Sequence, residues 1–282
     1  MKFRVSVGRW ASAMAFAGLT AGCAFSHPNP ANQARMLVAK GRSAEAASEL
    51  EAYLKEHPEA VPERRLLIRV YATMGQLALA QSQAEALAQR LGPRSPIPWL
   101  ELGYALELTH RYDEALEQYD RAAEVAPQDA LGPVTGGLRA ARWGEPELAE
   151  PRLADGLRRD PRNAEAWHAL GLVRARLGNL DGAALAYRSG LRADPGAVED
   201  HVGLATIAVL RGDAAVALSE YDAIVSSRPK FADAHLGRSW ALMKLGRLDD
   251  AQRALDRAQD LGASPRPLHA QQRALVELRS MH

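Results

Sequence analysis

Residues 166–195 read AWHALGLVRARLGNLDGAALAYRSGLRADP. Trp167 is followed by Leu170 and Gly171, then by Ala183, Tyr187 and Pro195. The same residue types stand 68 residues earlier, at Trp99, Leu102, Gly103, Ala115, Tyr119 and Pro127. A spacing of 68 is two periods of 34. Self-similarity at such a period marks an array of small stacked units rather than one large core.

The unit recurs along the chain. Turn prolines fall at Pro58, Pro93, Pro127, Pro161, Pro195 and Pro229, at spacings of 35, 34, 34, 34 and 34. Alanine holds one register at Ala46, Ala80, Ala115, Ala149, Ala183, Ala217 and Ala251. Two helices approach to about 8–10 Å only where small side chains meet, so this column predicts a tight helix pair in each unit. Glycine recurs at Gly41, Gly75, Gly144, Gly178, Gly212 and Gly246, where a left-handed residue ends the first helix. Asp113, Asp181, Asp213 and Asp249 follow that turn and are expected to cap the second helix. The prolines close each unit, because proline cannot continue a helix. Seven units result, at roughly 27–60, 61–95, 96–129, 130–163, 164–197, 198–231 and 232–265. The tail, 266–282, reads as one more amphipathic helix, the polar-faced cap that an open-ended array needs.

The pattern W-x2-L-G, then A-x3-Y, then P, resembles the tetratricopeptide repeat family, over nearly all of 32–265. The resemblance implies an all-α, right-handed superhelical solenoid of about seven 34-residue helix-turn-helix repeats with a C-terminal capping helix. Repeats three and five match best. Repeat four departs most: Pro133, Gly136 and Gly137 lie in its first helix, and Pro151 lies about five residues into its second. A kink and a local weak point, a hinge or a widened groove, are expected there.

The first nine residues are short and basic, and 10–19 form an apolar run too short to span a bilayer. Small residues then precede Cys23, the one cysteine of the chain. Residues 1–22 therefore read as a signal peptide. The stretch Leu19-Thr20-Ala21-Gly22-Cys23 resembles a bacterial lipoprotein signal, although Thr20 stands where such signals more often carry Leu. That resemblance implies lipidation of Cys23, and Ala24 after it implies delivery to an outer membrane facing the periplasm. Residues 23–31 would be a short tether, with the roughly eight residues after Cys23 reaching at most about 26 Å. With one cysteine, no disulfide forms within the monomer. Removing 1–22 with Lys2, Arg4 and Arg9 takes the formal charge from +1 to −2. Basic residues are interspersed with acids, so nothing calls for a nucleic-acid partner.

Reactive constellations are weak. His201, His235 and His269 are 34 apart and take the place of Trp99 and Trp167. Equivalent positions on stacked helix pairs lie at least a helix–helix distance apart, while zinc needs its nitrogens within ~2.1 Å, so the column predicts packing rather than a metal site. Ser227 and Lys230 have S-x-x-K spacing but straddle a turn at Pro229. No catalytic, cofactor-binding or metal-binding residue is expected.

The family resemblance implies a concave groove lined by the first helices of successive repeats. Carried over by register, the lining is Leu100, Tyr104 and Leu108; Leu131, Val134 and Leu138; His168, Leu172 and Arg176; Val202, Thr206 and Leu210; and Leu236, Trp240 and Met243. Arg65 and Arg69, four apart, are the nearest substitute for the paired polar residues by which some family members grip a carboxylate. The function implied is a non-catalytic, membrane-tethered scaffold of the bacterial envelope that holds a protein or peptide segment, resembling the repeat lipoproteins that assist pilus and secretion-system assembly. An adaptor for peptidoglycan-modifying enzymes, an enzyme or its regulatory subunit, and a self-assembling structural protein are the alternatives.

Overall fold

A computed structural model describes residues 29–280. The signal-type stretch 1–22, Cys23 and the tether as far as 28 lie outside the described residues. Fifteen helices and no strand are found among the described residues. They pair as α1 (Pro30–Ala39) with α2 (Ser43–Glu56), α3 (Val61–Thr73) with α4 (Leu77–Leu91), and α5 (Ile97–Glu107) with α6 (Tyr112–Val125). The series continues with α7 (Leu131–Trp143) and α8 (Pro146–Arg159), α9 (Ala164–Arg176) and α10 (Leu180–Ala193), and α11 (Val198–Arg211) and α12 (Ala214–Ser227). The last pair is α13 (Ala232–Lys244) with α14 (Leu248–Asp260), followed by the single helix α15 (Pro265–Ser280). Seven pairs and a terminal helix are what the 34-residue period predicts. Two residues assigned to the tether, Pro30 and Ala31, are helical, because Asn29 caps α1 by accepting from Ala31 N at 2.9 Å. No described helix is long and apolar enough to cross a membrane.

Each helix buries one stripe. In α14 the buried residues are Ala251, Ala254, Leu255 and Ala258, the i, i+3, i+4, i+7 pattern of a helix with one apolar face. The alanine column from Ala46 to Ala251 has 0% exposure throughout, and it lets each pair close tightly. First helices touch along one side of the solenoid, α1 with α3, α3 with α5, α7 with α9 and α9 with α11, and so form its concave layer.

The turn inside each pair is the same in all seven repeats. A residue with positive φ is followed by an N–H that reaches back to a carbonyl five residues earlier, as in Gln76 N to Tyr71 O (2.8 Å) and Glu145 N to Ala140 O (3.0 Å). This closes the orphan carbonyls at the helix end. Repeat three has no glycine here, and His110 takes φ 59 instead, the one non-glycine residue in that region among those described. A left-handed Cβ costs about 1–2 kcal/mol. His110→Gly is therefore expected to stabilise the protein by about 0.5–1 kcal/mol after the entropy of glycine is counted, read as a higher urea midpoint.

Two local expectations are corrected. Of the four aspartates only Asp213 caps a second helix, accepting from Val216 N at 3.1 Å, and in repeat five Asn179 caps α10 in place of Asp181. Asp113, Asp181 and Asp249 sit two residues past the cap, inside the first turn, where their charge meets the helix dipole instead. In repeat four the two helices are closely packed rather than splayed. Helix α8 continues unbroken past Pro151, and the glycines of the repeat let it pack more closely. A Cβ on Gly137 would lie 2.7 Å from Leu153 Cγ, and one on Gly156 would lie 2.4 Å from Val134 Cγ2. The depression beside Pro151 and Pro133 lies between α6 and α8, on the second-helix side rather than in the concave layer. There Arg159 donates to the carbonyls of Ala123, Ala126 and Asp129 at 3.0–3.1 Å, and so ties the end of α6 to α8.

Candidate functional site

Two depressions of the concave layer take in residues of the predicted groove. The first lies across α1, α3 and α5 and is lined by Arg35, Val38, Leu66, Arg69, Val70, Thr73, Tyr104 and Leu108, with a volume near 200 Å³. Tyr104 is half-buried and held between two guanidinium groups, Arg69 at 4.8 Å and Arg139 at 5.9 Å from its ring centroid. Such cation–π contacts fix the ring and leave one edge to the groove. Leu108 is exposed beside it. Arg65 and Arg69 are not free to clamp a ligand carboxylate. Both bind the buried Glu101, Arg65 through Nε at 2.7 Å and Arg69 through Nε at 2.7 Å, and this ties repeat two to repeat three. The Glu101 hydrogen bond holds the Arg69 guanidinium above its ordinary pKa.

The second depression is larger, about 490 Å³, and lies between α9 and α11 with the α12–α13 turn at one end. Its walls are Leu172, Val202, Ile207, Leu210 and Phe231, and its polar edge is His168, Glu199 and Arg228. Leu172, Val202 and Leu210 are exposed, which is unusual for three aliphatic side chains on one face. Tyr187 forms part of the lining from α10. Its ring is slotted between two glycines, since a Cβ on Gly171 would meet it at 2.4 Å and one on Gly203 at 2.5 Å. Burial pushes the Tyr187 phenol up to about 12, so it stays neutral.

The register reading missed the groups beneath this edge. His168 Nδ1–H donates to Asp200 Oδ1 over 2.7 Å. Asp200 is wholly buried, and its second oxygen has no partner among the described residues. That hydrogen bond raises the pKa of His168 above the ordinary 6.5, with burial acting against it. Asp200 sits 34 residues from Ala166 and Ala234, two buried alanines, so an acid in a buried small-residue column was the available signal.

The predicted lining divides. Leu172, Val202, Thr206, Leu210 and His168 converge on the second depression, and Tyr104 with Leu108 on the first. Arg176 is exposed on the same face of α9 and reaches the Ala141 carbonyl at 3.3 Å. Leu131 is exposed on α7. Leu100 and Leu138 are half-buried against the apolar core, and Val134 is buried. Leu236 and Met243 are corrected: they are 5% and 8% exposed, in one cluster with Leu268 and Leu275 of α15. The terminal helix takes the place of a further first helix and covers them. Trp240 is half-buried and packs against the cluster of Ala208, Ala217 and Ala241. The histidine column goes to separate partners. His235 Nε2 pairs with the Pro229 carbonyl at 3.0 Å, as Trp167 Nε1 does with Pro161 at 2.9 Å. His201 pairs with Glu220 at 2.5 Å, and His269 is exposed. Ser227 Oγ donates to Ile224 O and does not engage Lys230.

Comparison with known proteins places this geometry. Two family models described as tetratricopeptide repeat match the chain, one over residues 65–130 and 135–198 and the other over 208–274. Protein NPGR1 of Arabidopsis thaliana is 31% identical over 124 residues, 43% of this chain and 18% of that protein. Protein bimA of Emericella nidulans is 26% identical over 147 residues, 50% of this chain and 18% of that protein. The chain thus spans under a fifth of either relative. Among solved structures, YrrB, a repeat protein described as having an unusual peptide-binding site, superposes with a TM-score of 0.57 at 20% identity, covering 66% of this chain and 96% of that one. The C-terminal part of a repeat-containing protein from Cytophaga hutchinsonii gives 0.62 at 15% identity, over 85% of this chain and 98% of that one. At these identities the likeness is one of fold.

Proposed function

Because the chain belongs to the tetratricopeptide repeat family, a protein-interaction scaffold, we propose that it is a non-catalytic scaffold of the bacterial envelope that holds a peptide segment of a partner in its concave layer. The observation that carries this reading is the open depression between α9 and α11, where Leu172, Val202 and Leu210 stand exposed beside a polar edge. Exposed aliphatic groups rimmed by polar ones are what a recognition surface offers. The peptide-binding site attributed to YrrB, which shares the fold, supports the same use of the solenoid here.

The tether belongs to this proposal too. Lipid on Cys23 would hold the solenoid at an outer membrane facing the periplasm and raise its local concentration for a partner there. A role in assembling a pilus or secretion machine is the narrower form of the reading, and it rests on the resemblance of the leader and repeats to such lipoproteins.

One experiment tests both halves. Crosslinking in intact cells, followed by membrane fractionation, compares the wild type with Leu172→Asp and Cys23→Ser. Leu172→Asp is expected to lose the crosslinked partner at least tenfold while staying with the membrane, since a charge enters an apolar contact. Cys23→Ser is expected to leave the membrane fraction. Undiminished crosslinking of Leu172→Asp would sink the groove reading, and a membrane-bound Cys23→Ser would sink the lipid tether.

A further inference from the structure

On the concave face of α9, His168, Leu172 and Arg176 follow one another at intervals of four residues. They form a hydrogen-bonding, an apolar and a cationic position along one helix face. Eight residues of helix place His168 and Arg176 about 12 Å apart. The two ends differ: Arg176 is a cation without an ion-pair partner among the described residues, whereas His168 is paired with Asp200 and offers a hydrogen-bond edge rather than a net charge. The acid that pairs with His168 is buried beneath it, so the imidazole, about a third exposed, turns its other edge towards the depression. Arg176 forms no ion pair among the described residues and bonds only a carbonyl.

We infer that this face is a recognition track for an extended acidic–apolar–acidic peptide segment, in which His168 and Arg176 each take one carboxylate and the depression beside Leu172 takes the apolar side chain between them. The inference rests on the groove reading above and deepens it. Extended chain rises about 3.3 Å per residue, so side chains at i and i+4 stand about 13 Å apart, with i+2 on the same face. Glu-x-Leu-x-Glu thus presents its three informative side chains at the spacing of the track.

Hydrogen-bond chemistry makes the His168 end selective. With Nδ1–H donated to Asp200, Nε2 is the nitrogen left to face the depression. In the imidazolium, Nε2–H is a donor suited to a carboxylate; in the neutral ring, Nε2 is an acceptor that repels one. The groups that face His168 are Asp200 and Glu199 from α11, Tyr187 from α10, and Arg228, which is neutralised by Glu199 at 2.9 Å. Among the described residues, α7 and α8 add no titratable group to this lining.

The test titrates the purified protein with the capped peptide acetyl-Glu-Ser-Leu-Ser-Glu-amide and its Gln-Ser-Leu-Ser-Gln counterpart. Capping removes the terminal carboxylate, so end-capture cannot mimic the result. At pH 6 the glutamate peptide is expected to bind about tenfold tighter, and the margin should shrink severalfold by pH 9 as His168 loses its proton. His168→Gln should remove the pH dependence. Arg176→Gln, a change at an exposed position, should narrow the margin at both pH values with the fold intact. Equal binding of the two peptides, binding of neither, or a margin unchanged from pH 6 to pH 9 overturns the inference. The groove reading stands or falls separately, on the crosslinking of Leu172→Asp.

Discussion

Gly132→Ala is expected to split the unfolding of this protein into two transitions. Gly132 opens α7, and a Cβ there would lie 2.5 Å from Ala123 N and 2.9 Å from the Ala122 carbonyl carbon. Both are backbone atoms of α6, which cannot rotate away as a side chain can. Overpacking of this kind costs about 1–3 kcal/mol, and an unyielding neighbour puts it at the upper end. The gain in helix propensity from glycine to alanine is about 1 kcal/mol and does not offset it. In a solenoid, stability is a sum over repeats and their nearest-neighbour interfaces. The strained interface lies between repeats three and four, so α1–α6 and α7–α15 should separate in urea. Circular dichroism would show the split, and a single transition with an unchanged midpoint would refute it. Alanine itself is acceptable at this register, since Ala166 and Ala234 are buried there.

His168→Ala is expected to lower stability by about 2–3 kcal/mol, and more than Asp200→Ala does. Removing the imidazole strands a wholly buried carboxylate whose other oxygen already has no partner. Breaking a buried pair from one side costs about 3–5 kcal/mol, and the figure is set lower here because His168 is 31% exposed and water can enter. The double variant should be less damaged than His168→Ala alone, since the stranded charge is gone. The pH dependence has a definite sign. The folded-state pKa of His168 is raised, so its contribution is fully present below the ordinary 6.5 and is lost as pH rises through the higher folded value. Wild type minus His168→Ala should therefore shrink with rising pH in urea titrations.

Turn chemistry and small-residue columns made the solenoid legible. Each depends on a local requirement that recurs every 34 residues: a left-handed turn, a close helix crossing, a proline stop. Even His110 obeys the rule through geometry rather than identity, with the Arg111 N to Leu106 O bond of 3.0 Å intact. Repeat four misled because Gly136 and Gly137 read as helix-weakening in isolation. Their neighbours across the pair, Arg152 and Leu153, turn the missing side chains into packing space. The groove was legible by register at Leu172, Val202 and Leu210. It failed at Leu236 and Met243, where the capping helix closes the face. The His168–Asp200 pair lay hidden because its members are 32 residues apart on different repeats and because Asp200 needs Gly190 opposite it. A Cβ on Gly190 would come 2.0 Å from Asp200 Oδ2. Such reciprocal accommodation shows only when both helices are placed.

The apolar core is one continuous body from Ala34 to Ala186, but beyond it the buried residues fall into four smaller clusters. Springs joined in series share one load, and the most compliant carries most of the extension. A partner seated between α9 and α11 would bridge repeats five and six there and brace that link against the load.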